Sequence, residues 1–291
     1  MKKYFALIIA ALIVYSTSTA QKKFSDFLSH FKVRKSFQSK DDQAEAARLS
    51  LTIPKDTTKS YLIDLGIKGT FPKTNLGIVA EIHRNTLSDK EQNNYQFGLN
   101  DEFVLNKNWG MPNARSTGYL TLTSKYSRDE IENDGSLVTT GEYTLLKAAG
   151  VARWNKMIPN HLNKIGNNLS VIYYPSIGIE HQLILHAKDD SLKGNILRPY
   201  GIFNVEIYPF TTFFESNLQL YSELTYKYDI VNSTKNGERK YHPTWSTGIA
   251  YMIWKGKTGS VKLAFSYNSE DEPAAGQKDQ RFYDLSLKIK I

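Results

Sequence analysis

The stretch RFYDLSLKIKI, residues 281–291, alternates between apolar and polar side chains. One face carries Tyr283, Leu285, Leu287, Ile289 and Ile291, and the other carries Phe282, Asp284, Ser286, Lys288 and Lys290. Because successive side chains of a strand point to opposite sides, this spacing predicts a strand with one apolar and one polar face. The same pattern recurs at residues 260–269 and 61–69.

Working outward from this stretch, the two-residue period extends back to a polar break at residues 41–43. Twelve segments are predicted as strands, at residues 46–53, 61–69, 75–84, 94–105, 117–126, 137–154, 168–186, 196–209, 217–231, 244–254, 260–269 and 281–291. Most have roughly the 9 to 11 residues that a tilted strand needs to cross a bilayer. With an even number of strands, the last can pair with the first and leave no unpaired edge. The sequence predicts an all-β fold, a closed antiparallel up-and-down transmembrane β-barrel of about 12 strands over residues 45–291.

Alternation also occurs in soluble β-sandwiches, so further features decide between the two environments. Charged residues recur on the polar faces, and aromatic residues such as Trp245 and Trp254 lie near strand ends, as in interfacial girdles. The connections also alternate in character. Polar connections are predicted at one end, whereas tight turns are predicted at the other, with 106–116 and 156–167 unusually long for that end.

The N-terminus has the composition of a targeting signal. Lys2 and Lys3 precede an apolar run over residues 4–14, and the small residues Ser18 and Ala20 follow. This pattern predicts a signal peptide at residues 1–20, cleaved near Ala20. The apolar run is shorter than the about 20 residues that a membrane-spanning helix needs. A signal peptide is therefore favoured over a membrane helix, and the rest of the chain is expected to be exported.

Residues 21–44 are predicted to form a basic amphipathic arm or helix. Phe24, Phe27, Leu28 and Phe31 follow helical spacing among lysines and arginines. The arm is expected to lie against or inside the barrel, and a membrane-surface helix is the alternative.

Composition excludes several classes of function. The 291 residues include no cysteine, which rules out disulfides, thiolate metal sites and lipoprotein-type attachment. The net charge is +8, but neither a basic recognition helix nor an RNP-like motif is found, so nucleic acid is not an expected partner. The acidic stretches 129–134 and 270–272 lack the spacing of a calcium loop and are predicted to be solvated surface. No cofactor or metal is expected.

The polar faces of the strands supply the candidate lumen-lining residues. These are Asp64, Lys68, Glu81, His83, Glu102, Lys147, Arg153, Glu180, Arg198, Glu206, Glu223, Lys227, Lys262, Asp284 and Lys288. They can line an aqueous channel or neutralise one another across a packed interior. Barrels of about 8 strands are filled and those of about 16 hold a channel, so strand number leaves both alternatives open. Glu81 and His83 share a face of one strand, and interior polar filling or pore lining is expected for them rather than a catalytic or metal role.

The predicted signal, the period of two up to the last residue and the closing strand together resemble the bacterial outer-membrane β-barrel proteins, over residues 46–291. The tyrosine-rich and lysine-rich composition is similar to that of Bacteroidota envelope proteins. In many members of this class the last residue is Phe and the last strand is recognised by the insertion machinery, whereas this chain ends in Ile291. The resemblance implies the outer membrane of a Gram-negative bacterium, with lipid, lipopolysaccharide and the insertion machinery as partners.

Three functional hypotheses follow from this architecture. The first is a porin-like channel for small solutes, and the second is a non-conducting barrel subunit of an envelope complex with a protein partner. The third, a lipid-modifying enzyme, is the weakest. Outer-membrane phospholipases have a Ser two residues after a His, and none of the six histidines here has one. The chain is therefore not expected to be an enzyme.

Overall fold

The computed structural model describes residues 30–38, 46–54, 60–86, 91–106, 116–147, 158–234, 240–256, 259–272 and 277–291. The predicted signal peptide lies outside these residues, as do residues 21–29 and 39–44 of the predicted arm.

Strands dominate the fold. They are β1 Phe31–Arg34, β2 Ala47–Pro54, β3 Ser60–Thr70, β4 Gly77–Asn85, β5 Gln92–Asn106, β6 Ser116–Asp129, β7 Asp134–Lys147, β8 Asn163–Ile165, β9 Leu169–His186, β10 Gly194–Pro209, β11 Leu218–Tyr228, β12 Val231–Asn232, β13 Tyr241–Lys255, β14 Ser260–Glu272 and β15 Gln277–Lys290. The other elements of the described residues are a four-residue helix, α1 Thr211–Phe214, and a 3₁₀ turn at Asp190–Leu192. Within the described part of the chain, no helix is both long and apolar enough to cross a membrane.

Twelve strands form one closed antiparallel barrel, in the order β2, β3, β4, β5, β6, β7, β9, β10, β11, β13, β14, β15. The last strand pairs with the first, with Leu285 opposite Leu51 and Leu287 opposite Leu49. The predicted fold, a closed barrel of twelve antiparallel strands, is confirmed. The three short strands lie outside this circuit, since β1 pairs with β3, β8 with β9 and β12 with β10.

Alternate connections lie at the same end of an up-and-down barrel. We call the end with β1, Ile291 and the connections 71–76, 210–217 and 256–259 the basal end, and the opposite end the distal end. Two connections at the basal end, at 106–116 and 156–167, were predicted to be unusually long. Residues 107–115 of the first lie outside the described residues. In the other, β8 pairs along the start of β9, and the Asn163 side chain bonds to the main chain of Ile158, His161 and Val171.

The barrel wall is polar inside and apolar outside. On β15 the inward Asp284 and Ser286 are buried, whereas the outward Tyr283 and Leu285 are exposed. Other outward side chains are exposed as well, among them Leu49, Leu51, Ile78, Phe97, Leu99, Ile177, Ile249, Leu263 and Phe265. This is the reverse of a soluble protein, which places such residues inside.

β1 and β2 are two parts of one wall strand. Arg34 lies opposite Gly66 of β3, and Arg48 lies opposite Asp64, so the two strands follow one line along β3. The Val33 amide also donates to the Ile291 carbonyl oxygen (3.1 Å), which joins β1 to the end of β15. The helical interpretation of this segment is therefore wrong for Phe31–Arg34. β3 and β15 extend beyond β2 at the basal end, and β1 supplies partners for their main-chain groups.

Candidate functional site

The interior of the barrel holds the predicted lumen-lining residues. Asp64, Lys68, Glu81, His83, Glu180, Arg198, Lys227 and Asp284 are buried on the inner face, and Glu102, Glu206, Glu223, Lys262 and Lys288 are partly buried there. The side chain of Lys147 and the whole of Arg153 lie outside the described part of the chain. The structure gathers many of these charges into two groups.

The first ion network consists of Arg48, Asp64, Glu81, His83, Lys125 and Glu270. At its centre the Arg48 guanidinium donates to Asp64 Oδ2 (2.8 Å) and to Glu270 Oε1 (3.0 Å). These three side chains come from β2, β3 and β14, so the contacts cross the seam where the barrel closes.

His83 continues the first ion network along β4. Its Nδ1 lies 3.0 Å from Asp64 Oδ1, and its Nε2 lies 3.3 Å from Glu81 Oε2. Both ring nitrogens can donate to these carboxylates at the same time only in the imidazolium form, in which His83 is a cation. Lys125 Nζ then donates to Glu81 Oε2 at 2.7 Å. With His83 protonated, this network joins three cations to three carboxylates.

The second ion network consists of Glu180, Arg198, Lys227, Asp229, His242 and Asp271. Arg198 donates to Glu180 Oε1 (2.9 Å) and to Asp229 Oδ1 (2.6 Å). Lys227 Nζ donates to the other oxygen of Glu180 at 2.8 Å.

His242 joins the second ion network to β14. Its Nδ1 lies 3.0 Å from Asp271 Oδ2, and its Nε2 lies 3.3 Å from Asp229 Oδ1. The two networks therefore reach neighbouring residues, Glu270 and Asp271. The paired charges form a belt around much of the inner wall.

A bulge in β14 allows these two neighbouring acids to face the same way. Glu270 pairs with Gln280 and Glu272 with Gln277, so the register shifts between them. Glu270 and Asp271 are both buried. The prediction that residues 270–272 form solvated surface is wrong for these two, because the extra residue of a bulge interrupts strict alternation.

Residues 35–38 enter the barrel between β1 and β2. The Phe37 side chain is 1% exposed, and its amide donates to Glu81 Oε1 at 3.0 Å. Its carbonyl oxygen accepts from Asn100 Nδ2 (2.8 Å) and Thr123 Oγ1 (2.9 Å), both on the inner wall. A Cβ at Gly66 would lie 3.1 Å from the Phe37 ring, so a glycine there leaves room for this segment. The part of the arm that the structure describes thus helps to fill the barrel.

A cavity of about 370 Å³ lies at the basal end of the interior. Its walls include Arg34, Lys255, Lys262, Lys288, Lys290, Glu206 and Glu223, with Tyr174, Tyr208 and Tyr221. Next to it, a space of about 20 Å³ lies between Arg48, Glu223, Glu270 and Lys288. That space holds little more than one water molecule, so the interior narrows towards the ion networks.

Little in this interior has the form of a catalytic or metal site. Glu81 and His83 are in contact, but both are engaged in the first ion network. Among the described residues, no group of three His, Cys, Asp or Glu side chains is placed to hold a metal ion.

Several interior residues were missing from the predicted set, namely Arg34, Lys125, Glu142, Asp229, His242, Glu270 and Asp271. Lys125 could have been predicted, because it lies on the same face of the predicted strand 117–126 as the polar residues Thr121 and Thr123. Arg34 and Asp271 could not, since β1 follows helical spacing and the bulge breaks the alternation.

No family model matches this chain, and no curated protein matches it either. The fold and site define the class as a closed twelve-stranded β-barrel with an ionised interior and an apolar outer surface.

Proposed function

We propose that this chain is an integral outer-membrane β-barrel with a closed lumen, and that it acts as a non-conducting subunit of an outer-membrane or envelope complex. The observation that carries this proposal is the filled interior, in which two ion networks and residues 35–38 occupy the space that a channel would need. The predicted insertion machinery would recognise the closing strand β15.

The outer surface supports a membrane location. Trp245 and Trp254 are both exposed on β13, nine residues apart. Because of a bulge between Met252 and Trp254, they lie opposite Ser269 and Val261 of β14, eight positions apart. A rise of about 3.3 Å per position and a tilt of about 40° separate them by roughly 20 Å along the barrel axis, which is of the order of the about 25 Å apolar band of outer-membrane barrels. Exposed Leu, Ile and Phe side chains between such positions are stable in contact with lipid, whereas their exposure to water costs free energy.

Aromatic side chains at both ends support the same location. Towards the distal end, the Tyr267 ring packs against those of Trp245 (6.1 Å between centroids) and Tyr283 (5.3 Å). At the basal end, Phe213 of α1 is 78% exposed and packs against Phe214. Interfacial girdles place aromatic rings at these two levels.

The buried charges support a closed lumen. Glu81, Glu180 and Asp284 are each at most 1% exposed, although all three face the interior. A water-filled channel would hydrate such carboxylates. Here Lys125 pairs with Glu81 and Arg198 pairs with Glu180, and Asp284 Oδ1 accepts a hydrogen bond from Asn268 Nδ2. Pairing of this kind is what makes buried charge tolerable.

A porin-like channel is the second candidate function. The basal cavity favours it, because about 370 Å³ of interior space is already open at one end. For solutes to pass, residues 35–38 and part of the first ion network would have to move away from the centre.

Two measurements on the purified mature protein test the proposal. Heat-modifiable gel migration, after extraction from outer membranes, is expected for a transmembrane barrel, and its absence would overturn the membrane assignment. Proteoliposomes containing the protein are expected to exclude small sugars. Rapid uptake of those sugars would instead favour the channel.

A further inference from the structure

We propose that the basal cavity is a binding site for a small, uncharged saccharide, held by hydrogen bonds to the inward side chains of β10 and β11. This inference is independent of whether the barrel conducts, because it concerns the polar and aromatic groups that line one end of the interior.

β10 and β11 present matching sets of polar side chains to the basal cavity. Each strand contributes one amide, one carboxylate and one tyrosine from alternate positions, which share the inner face. The six residues are Asn204, Glu206 and Tyr208 on β10, and Gln219, Tyr221 and Glu223 on β11. An amide both donates and accepts hydrogen bonds, and a carboxylate accepts several. The neighbouring hydroxyl groups of a sugar also donate and accept, so these side chains are complementary to them.

The strand register places these groups side by side. Asn204 lies opposite Glu223, and Glu206 lies opposite Tyr221. Residues directly opposite each other have Cβ atoms about 4.5 to 5.5 Å apart, and the next pair on the same face follows about 7 Å along the strands. Amide, carboxylate and phenol groups are therefore close enough together for one small molecule to contact several of them.

Two of the six side chains carry a buried polar atom that has no hydrogen-bond partner among the described residues. Tyr221 is 5% exposed, and its hydroxyl group is unpartnered. The Oδ1 atom of Asn204 is likewise buried and unpartnered. Leaving a buried polar group without a partner costs free energy. A hydroxylated ligand that accepts from Tyr221 and donates to Asn204 recovers this cost.

Two more of the six side chains are oriented by bonds within the wall. Glu206 accepts a hydrogen bond from the Tyr208 hydroxyl, and Gln219 Oε1 accepts one from Lys262 Nζ at 2.6 Å. The Lys262 ammonium has three protons and the Gln219 amide has two, so both groups can also donate to a ligand. Because these bonds hold the side chains in place beforehand, less conformational freedom is lost when a ligand binds.

The size and the apolar part of the lining suit a sugar ring. The cavity volume of about 370 Å³ lies within the range of roughly 300 to 1,000 Å³ that is usual for small-molecule sites. Tyr174 and Tyr208 line it together with Ile172 and Met252. A sugar ring has hydroxyl groups at its edge and C–H groups on its faces, and these faces pack against aromatic and apolar side chains. Side chains of both charges line the cavity, and an uncharged ligand is repelled by neither.

Calorimetry with small methyl glycosides tests the binding. Methyl glycosides of glucose, galactose and N-acetylglucosamine are titrated into the folded mature protein, in a detergent without a sugar headgroup. At least one of them is expected to bind, and added salt should leave its affinity unchanged because the ligand is uncharged. Phenol and inorganic phosphate are the comparison probes, and both should bind more weakly. Binding of none of the three glycosides would overturn the proposal, as would equally tight binding of phenol or phosphate.

Removal of the unpartnered groups locates the binding. Tyr221→Phe and Asn204→Leu are each expected to weaken binding of the tightest glycoside by about tenfold, because each removes one hydrogen bond to the ligand. Tyr251→Phe is the matched control. Tyr251 is 47% exposed on the outer face of β13, so the same hydroxyl group is removed outside the cavity.

Thermal unfolding without ligand separates a binding role from a structural one. The Tyr221 hydroxyl has no partner among the described residues, so Tyr221→Phe is expected to unfold at the same temperature as the unaltered protein or higher. A lower unfolding temperature would indicate a structural role for this hydroxyl instead.

The affinities of the folded variants complete the test. Unchanged glycoside affinity in Tyr221→Phe and Asn204→Leu would contradict the proposal, as would an equal loss of affinity in Tyr251→Phe. Sugar uptake by proteoliposomes is measured separately, so failure of the saccharide site and failure of the closed-barrel proposal are distinguishable.

Discussion

Arg34 and Ala47 occupy neighbouring positions in the barrel wall, although residues 35–46 separate them in the chain. Arg34 lies opposite Gly66 and Arg48 opposite Asp64, which leaves one wall position between them, that of Ala47. On the other side, Ala47 faces Ile289 and Val33 bonds to Ile291. The first wall strand is thus interrupted by an insert whose described residues 35–38 lie in the interior.

Deleting residues 35–46 is expected to preserve the barrel, because Arg34 and Ala47 already stand next to each other in the wall. The deletion removes Phe37 from its contacts with Glu81, Asn100 and Thr123. Faster uptake of small sugars than with the intact protein is expected in proteoliposomes. A deleted protein that keeps heat-modifiable migration but admits no more sugar would show that the insert does not close the lumen.

Arg198→Met is expected to destabilise the barrel by about 3 to 5 kcal/mol, because Glu180 and Asp229 lose a shared cation in a buried site. Arg128→Met is the matched control. Arg128 is partly exposed and lies 3.9 Å from exposed Glu130, so about 1 kcal/mol or less is expected. Urea unfolding in detergent measures both variants. An equal loss of unfolding free energy in the two variants would show that the second ion network does not stabilise the barrel.

Leu285→Lys tests which medium surrounds the outer face. Leu285 is 44% exposed, so a lysine there would cost little in water, whereas in a bilayer it should cost about 2 to 4 kcal/mol. Ile131→Lys is the control, because Ile131 is exposed in the distal turn between β6 and β7. Assembly into lipid vesicles should fall for Leu285→Lys alone. Equal assembly of the two variants would indicate a soluble barrel.

The absence of cysteine from the sequence allows the interior to be probed with single thiols. Thr123 is buried beside Phe37, and Thr74 is exposed in a basal turn. In the folded protein, Thr74→Cys is expected to react rapidly with a hydrophilic maleimide and Thr123→Cys slowly. Similar rates at the two positions would reveal a water-filled path through the barrel.

The sequence was most informative where a strand follows strict alternation. On β15, the alternation of polar and apolar residues correctly assigned Asp284 to the inner face and Leu285 to the outer face. This works because the two faces of a barrel strand lie in different environments and therefore differ in polarity. The pairing of Arg48 with Glu270 could not be predicted, because the partners are far apart in the chain and meet only when the barrel closes. β1 was hidden for another reason. Its partners are main-chain groups of β3 and β15, and these override its helical spacing.

The most direct test of a closed membrane barrel is the conductance of the intact mature protein in a planar lipid bilayer. Protein whose insertion is verified by heat-modifiable migration is expected to give no conductance steps, because the ion networks and residues 35–38 fill the interior. Regular, discrete steps from the pure, unaltered protein would contradict the closed lumen.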